Sequence, residues 1–216
     1  MNVTQSENTL REFLVGHYAG LAPHTPSERL VSIIDKDVAS VSWKQARALK
    51  IASYKRFQCL DGEGIRNSVY VSYCPFVCQG CFNASAQKLS YGDPYTVDVM
   101  DMIMQDMDNP HVSGITLAGG EPFLSAAHLV PLVSRIRDTF PDKTTWSYTG
   151  FLYEILAESR DEKRDLLDLV DVLIDGQFIA EERDEVNGLP FRGSDNQRCI
   201  DVPLSNESGG VVLHNC

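Results

Sequence analysis

From residue 50 onward the chain alternates short runs of β-branched and aromatic residues with segments of helical period, and this alternation limits the fold more than any other feature. "IASYKRF", "SVYVSY", "GITLAG", "TTWSYTG" and "VDVLIDG" read as strands. Among them lie "TVDVMDMIMQDMD", "SAAHLVPLVSRIRDTF" and "EKRDLLDLV", with apolar residues at helical spacing and hydroxyl caps expected at Thr96 and Ser125. Strands joined through helices pair in parallel, because the crossover carries the chain back along the sheet before the next strand begins. A core of about 165 residues is small for a closed (β/α)8 barrel, so the expected class is α/β with a partial, open barrel. The tail "RGSDNQRCIDVPLSNESGGVVLHNC" shows no helical period and is expected to form a loop followed by a hairpin.

The first 48 residues differ in texture. Thr9 with Glu12, Thr25 with Glu28 and Ser42 with Gln45 each repeat the spacing by which a cap hydroxyl and a third-position side chain satisfy the free amides of a helix start. The division expected is a helical amino-terminal extension, 1–48, and a larger domain, 49–216.

Three cysteines, Cys74, Cys78 and Cys81, fall within "SYCPFVCQGCFN", with Pro75 and Gly80 bending the chain between them. Spaced in this way, three thiolates can converge on one centre. Structural zinc takes four ligands, usually as two pairs, and iron–sulfur clusters held by protein alone usually take four cysteines. Cys59, Cys199 and Cys216 are scattered singly and read as ordinary thiols. A set of three leaves one coordination position open, as catalytic metals do.

A second stretch, "ITLAGGEPFL", puts Gly119, Gly120 and Glu121 at the carboxyl end of an expected strand, where parallel α/β folds hold their ligands. Glycines there let backbone approach a ligand, and Glu121 with nearby carbonyls can accept hydrogen bonds from an ammonium group. The glycines of "DGEGIR" match neither a P-loop nor a dinucleotide fingerprint and read as a turn.

The CxxxCxxC spacing followed by Phe82, together with "GGEP", resembles the signature of the radical S-adenosylmethionine enzymes. The resemblance implies a [4Fe-4S] cluster on Cys74, Cys78 and Cys81, with S-adenosylmethionine chelating the fourth iron. It also implies that Gly119, Gly120 and Glu121 hold the methionine end, while Gly80 and Phe82 flank the bound cofactor. One electron from the cluster then cleaves the sulfonium to a 5′-deoxyadenosyl radical. "DGEGIRNSVYVSYCPFVCQGCFN", "GITLAGGEP", "TTWSYTGF", "VDVLIDGQF" and "FRGSDNQR" narrow the likeness to the activating proteins of anaerobic (class III) ribonucleoside-triphosphate reductases. That likeness implies a protein substrate, the reductase, whose glycine loses a hydrogen to become a glycyl radical, and a flavodoxin or ferredoxin-type electron donor. Arg66 and Asp175 match family positions, with contact to cofactor or partner and structural ion pairing both open. The chain departs from the family in having Tyr73, where glycine commonly precedes the first cluster cysteine, and in its amino-terminal extension.

Two alternatives stand beside this reading. One is a radical enzyme acting on another glycyl-radical protein or on a small molecule. The other is an iron–sulfur or zinc electron-transfer module with Cys59 or Cys199 as fourth ligand. The net charge of −11, without a basic cluster, argues against nucleic acid or an anionic membrane as partner. No apolar run is long enough to span a bilayer, and "NVTQSENT" after Met1 does not read as a signal peptide, so a reducing cytoplasm is the expected location.

Overall fold

The computed structural model of the chain describes residues 49–183 and 190–216. The helices expected within 1–48 lie outside the described residues. Seven strands form one sheet: β1 (Lys50–Gln58), β2 (Arg66–Val71), β3 (Asp93–Pro94), β4 (Gly114–Gly119), β5 (Thr144–Tyr148), β6 (Val172–Asp175) and β7 (Arg198–Asp201). Their order is β3-β1-β2-β4-β5-β6-β7. The inner strands β2, β4, β5 and β6 run parallel, as the strand and helix alternation requires. Both flanks are antiparallel, β1 against β2 and β7 against β6. For β1 the reason is length: residues 59–65 are too few to cross back over the sheet, so the chain reverses instead. The result is a mixed, mostly parallel and open α/β sheet.

Helices α1 (Val97–Met107), α2 (Ala126–Thr139), α3 (Tyr153–Ala157) and α4 (Glu162–Leu167) make the crossovers. Thr96 caps α1 as expected, its Oγ1 accepting from the Val99 amide. Ser125 does not cap α2 through its side chain. It ends a 3-10 turn, Pro122–Ser125, whose start is capped by the Glu121 carboxylate accepting from the Phe123 amide. Leu129, Leu132, Val133 and Ile136 of α2 are buried with Val69, Val71, Ile115, Leu117 and Leu173 of the sheet. Every residue of β2 and β6 is buried, which fits strands covered on both faces.

The tail corrects the sequence reading in part. The expected hairpin is present, since Ile200 pairs with Leu213 and the His214 amide donates to Cys199 O at 2.9 Å. Its connection is a helix, α5 (Val202–Ser208), that the period did not reveal. Asp201 caps it through the Leu204 amide, Pro203 stands in its first turn, and Gly209 closes it at φ 73°. These are ordinary start and stop signals around a segment too short to display a period. The returning chain also brings Cys216 beside β7, where it forms a disulfide with Cys199; these two are therefore not the ordinary thiols expected.

Among the described residues, no helix is long and apolar enough to cross a membrane.

Candidate functional site

The parallel strands β2, β4, β5 and β6 deliver four loops to one end of the sheet. β2 leads into the cysteines, β4 into Gly120-Glu121-Pro122, β5 into Thr149-Gly150-Phe151 and β6 into Gly176-Gln177-Phe178. Carboxyl ends of parallel strands are where such folds assemble ligand sites, and here the arrangement brings together motifs about a hundred residues apart.

The cysteine loop is stitched closed at its base. The Tyr73 amide donates to Ala86 O at 2.7 Å, the Cys74 amide to Gln87 O at 3.2 Å, and Ser72 Oγ to Tyr91 O at 2.6 Å. Within it the Cys81 amide returns to Cys78 O at 3.2 Å, a turn that sets Gly80 at φ 72°, in the left-handed region that favours glycine. Phe76 anchors the loop in the core: it is 3% exposed, and its ring meets Phe151 edge-on at 5.0 Å. A Cβ on Gly150 would fall 2.4 Å from the Phe76 ring, so the glycine of "SYTGF" is required by this aromatic anchor.

Cys74, Cys78 and Cys81 are free and half-buried. Burial raises the Cys74 thiol pKa far above its usual value, and the Glu121 carboxylate and the two neighbouring cysteines raise it further. Burial also raises that of Cys78, opposed by a hydrogen bond from the Phe178 backbone. The three therefore share one electrostatic environment. Among the described residues, however, no group of three or more His, Cys, Asp or Glu side chains is arranged to hold a metal ion, so the convergence expected from the spacing is not present in the chain alone. As a donor set, three soft thiols on one loop suit an iron–sulfur cluster. Neither proposed fourth ligand belongs to this loop: Cys199 is bonded to Cys216, and Cys59 lies exposed beyond β1, at the other end of the sheet.

Tyr73 adopts φ 77°, the conformation a glycine would take without strain. Residues of the L configuration other than glycine pay roughly 1–2 kcal/mol there. Gly119 and Gly120 approach backbone closely, but the backbone is the protein's own. A Cβ on Gly119 would lie 2.7 Å from Tyr70 Cα, and one on Gly120 would lie 2.3 Å from Tyr73 O. The Gly120 and Glu121 amides donate to Val71 O and Tyr73 O, both at 2.7 Å, fixing the strand that enters Cys74. The Glu121 carboxylate is 1% exposed. It accepts from the Phe123 amide at 3.0 Å, Thr149 Oγ1 at 2.8 Å and the Gly150 amide at 2.8 Å. Burial pushes its pKa up to about 7 against these donors. Both of its oxygens thus serve the protein, tying the β4 loop to the β5 loop. Phe82, by contrast, is 88% exposed, with Lys55 Nζ 5.9 Å from its ring centre.

Arg66 and Asp175 are structural. Arg66 is fully buried at the start of β2 and donates five hydrogen bonds: to Thr116 Oγ1, Glu63 O, Thr144 Oγ1, Ile115 O and Thr144 O. Asp175 accepts from the Tyr153 amide and pairs with Arg198, which also binds Glu154. Just before "RGSDNQR", Phe191 adopts a left-handed φ of 59°. The glycines of "DGEGIR" make room for side chains: a Cβ on Gly62 would strike Trp146 at 2.8 Å, and one on Gly64 would strike Ser113. Sequence reasoning missed the Glu121, Thr149 and Gly150 tie and the Phe76 anchor. The glycine of "YTG" was the available signal, but its contact lies some seventy residues back along the chain.

A family model described as a 4Fe-4S single cluster domain matches residues 60–200. The chain is 38% identical over 148 residues to the anaerobic ribonucleoside-triphosphate reductase-activating protein of Vibrio cholerae, an alignment covering 67% of this chain and 92% of that protein. The protein of the same description from Escherichia coli K12 is 34% identical over 148 residues, 67% of this chain and 93% of its own. That of Enterobacteria phage T4 is 30% identical over 158 residues, 72% and 93%.

Proposed function

The chain belongs to the family of the anaerobic ribonucleoside-triphosphate reductase-activating proteins, and from that premise we propose that it makes the glycyl radical of such a reductase at the loop of Cys74, Cys78 and Cys81. It is a radical S-adenosylmethionine activase, an enzyme that works with a [4Fe-4S] cluster and S-adenosylmethionine. When bound, these supply a one-electron cleavage of the sulfonium and a carbon radical able to take a hydrogen from glycine. The observation that carries the assignment of residues is the arrangement of three free, half-buried cysteines on a closed loop beside the Gly119-Gly120-Glu121 turn, at the carboxyl ends of four parallel strands.

In this reading Cys74, Cys78 and Cys81 are the cluster ligands. Backbone of the Gly119–Glu121 turn receives the methionine amino group, since the Glu121 carboxylate is already committed to Phe123, Thr149 and Gly150. Glu121 then acts on the cofactor through the turn it shapes. Gly80 and the exposed ring of Phe82 flank the cofactor beside Cys81, where the ring shields one side from water. The open sheet supports a partial barrel of the radical S-adenosylmethionine type, whose unclosed side admits a glycine-bearing loop of the reductase. A flavodoxin or ferredoxin-type protein delivers the electron, and the setting is the cytoplasm. Relatives that match over 92% of their own length but 67% of this chain support residues 49–216 as the catalytic domain and 1–48 as an added extension.

Electron paramagnetic resonance of the anaerobically reconstituted, reduced protein tests the reading. A [4Fe-4S]+ signal that shifts on adding S-adenosylmethionine, with release of 5′-deoxyadenosine, is expected. Intact cluster with an unshifted signal and no cleavage product would overturn it and favour four protein ligands.

A further inference from the structure

We infer that the "RGSDNQR" loop is a positioning element for the cysteine loop, and that it acts through Phe178; the inference rests on the role proposed above for Cys78 and Cys81. Three side chains of the loop bond to backbone on either side of Phe178. Gln197 Nε2 donates to Gly176 O at 2.8 Å, Asn196 Nδ2 donates to Gln177 O at 2.8 Å, and Ser194 Oγ accepts from the Ile179 amide at 3.1 Å. The three side chains are themselves braced. Ser194 Oγ donates to Asn196 Oδ1 at 2.7 Å, while Gln197 Oε1 accepts from the Gly193 and Ser194 amides at 2.8 and 3.3 Å. Ser194 is fully buried, so its hydroxyl is set by these partners and not by solvent.

The ring of Phe178 lies between two glycines. A Cβ on Gly193 would fall 3.0 Å from its Cδ2, and one on Gly80 would fall 3.6 Å from its Cε1 and 3.7 Å from Ala180 Cβ. Gly80 stands between Cys78 and Cys81, in the turn that sets their separation. The Phe178 backbone is also among the groups that act on the Cys78 thiol, opposing the rise that burial gives its pKa. The loop therefore fixes the 176–179 backbone, that backbone fixes the Phe178 ring, and the ring braces the turn carrying two of the three thiols. Hydrogen bonds and packing around cluster sulfurs tune potential and retention, so a residue far along the chain gains influence over the cluster without touching it.

The test uses the full chain without a cluster and reads the rate of iodoacetamide alkylation at Cys78, with exposed Cys59 as internal reference. Ser194→Ala leaves the Ile179 amide without its acceptor and, by loosening the turn that half-buries the thiol, is expected to raise the Cys78 rate about fivefold, the scale of one lost hydrogen bond, while Cys59 is unchanged. Gln197→Glu, which keeps both acceptor bonds but replaces the donor to Gly176 O by a carboxylate oxygen that repels it, provides the same readout if Ser194→Ala fails to fold. Lys143→Met is the control: it removes two bonds, to Asn109 O and Val112 O, from a distant loop and should lower Tm without altering Cys78. A Cys78 rate that tracks Tm alike in all three variants, or does not change in the first two, overturns the inference. Because no cluster is needed, this outcome is independent of the resonance experiment above.

Discussion

Each end of the parallel sheet buries a charged side chain whose hydrogen-bond partners are all neutral, and the two ends use it differently. At the amino ends of β2, β4 and β5, Arg66 reaches across three strands and gives five hydrogen bonds, with Trp146 stacked 5.3 Å from its guanidinium carbon. Burial lowers its pKa to about 10, and its long side chain does all the bridging. At the carboxyl ends, besides Asp175 with its Arg198 partner, Glu121 is buried and receives three hydrogen bonds from two loops drawn in by glycines. A long cation makes a rigid seam that leaves nothing open. A short anion among glycine-rich loops makes a frame, and the cysteine loop sits in it. The contrast accords with stability residing at one face of such sheets and chemistry at the other.

The largest expected effect tests the seam. Arg66→Met removes every donor to five buried or half-buried acceptors and should cost about 4 kcal/mol or more in denaturant unfolding. If the two ends are separate devices, whatever protein folds should alkylate Cys74 and Cys78 at the unaltered rates; faster alkylation would break the comparison.

Next comes the frame. Glu121→Gln keeps the shape but turns an amide N–H2 or its equivalent against one of three donors, and about 2 kcal/mol should be lost. This loss depends on pH. With a folded pKa raised to about 7 from 4.5, the protonated carboxyl contributes stability that is fully present below 4.5 and disappears as pH rises through about 7. The unaltered protein should therefore lose stability over that window relative to Glu121→Gln, which does not titrate. Parallel pH profiles of the two proteins would show that the donors, not burial, govern this carboxylate.

The smallest effect concerns the entry to the cysteine loop. Tyr73→Gly relieves a left-handed non-glycine residue and should raise stability by about 1 kcal/mol, read from the urea midpoint. A loss instead would mean that contacts of the Tyr73 side chain outweigh the backbone strain.

Much of this was legible before the structure. β4, β5 and β6 fall within runs read as strands and β1 and β2 overlap theirs, while α1, α2 and α4 lie where the helical period put them, because period is a local property of contiguous residues. The cysteine spacing and "GGEP" likewise sit in unbroken stretches. What escaped were short elements and distant contacts. α5 is only seven residues long, and its Asp201, Pro203 and Gly209 signals outweigh any period. β7 completes the sheet only because β6 offers it an edge. The Cys199 to Cys216 bond depends on α5 turning the tail back upon that strand.

The sequence by itself determined the chemistry on offer: three thiols on a bent loop, a glycine-rich turn after a strand, and a family to which both belong. Tertiary structure alone decided how those pieces hold one another. It turned Glu121 inward onto Thr149 and Gly150, wedged Phe76 against Gly150, and set Phe178 between Gly80 and Gly193. The physical reason is range. Spacing within a motif acts through a few bonds and is written in adjacent letters, whereas these contacts join loops far apart in the chain that become neighbours only when four parallel strands lie side by side.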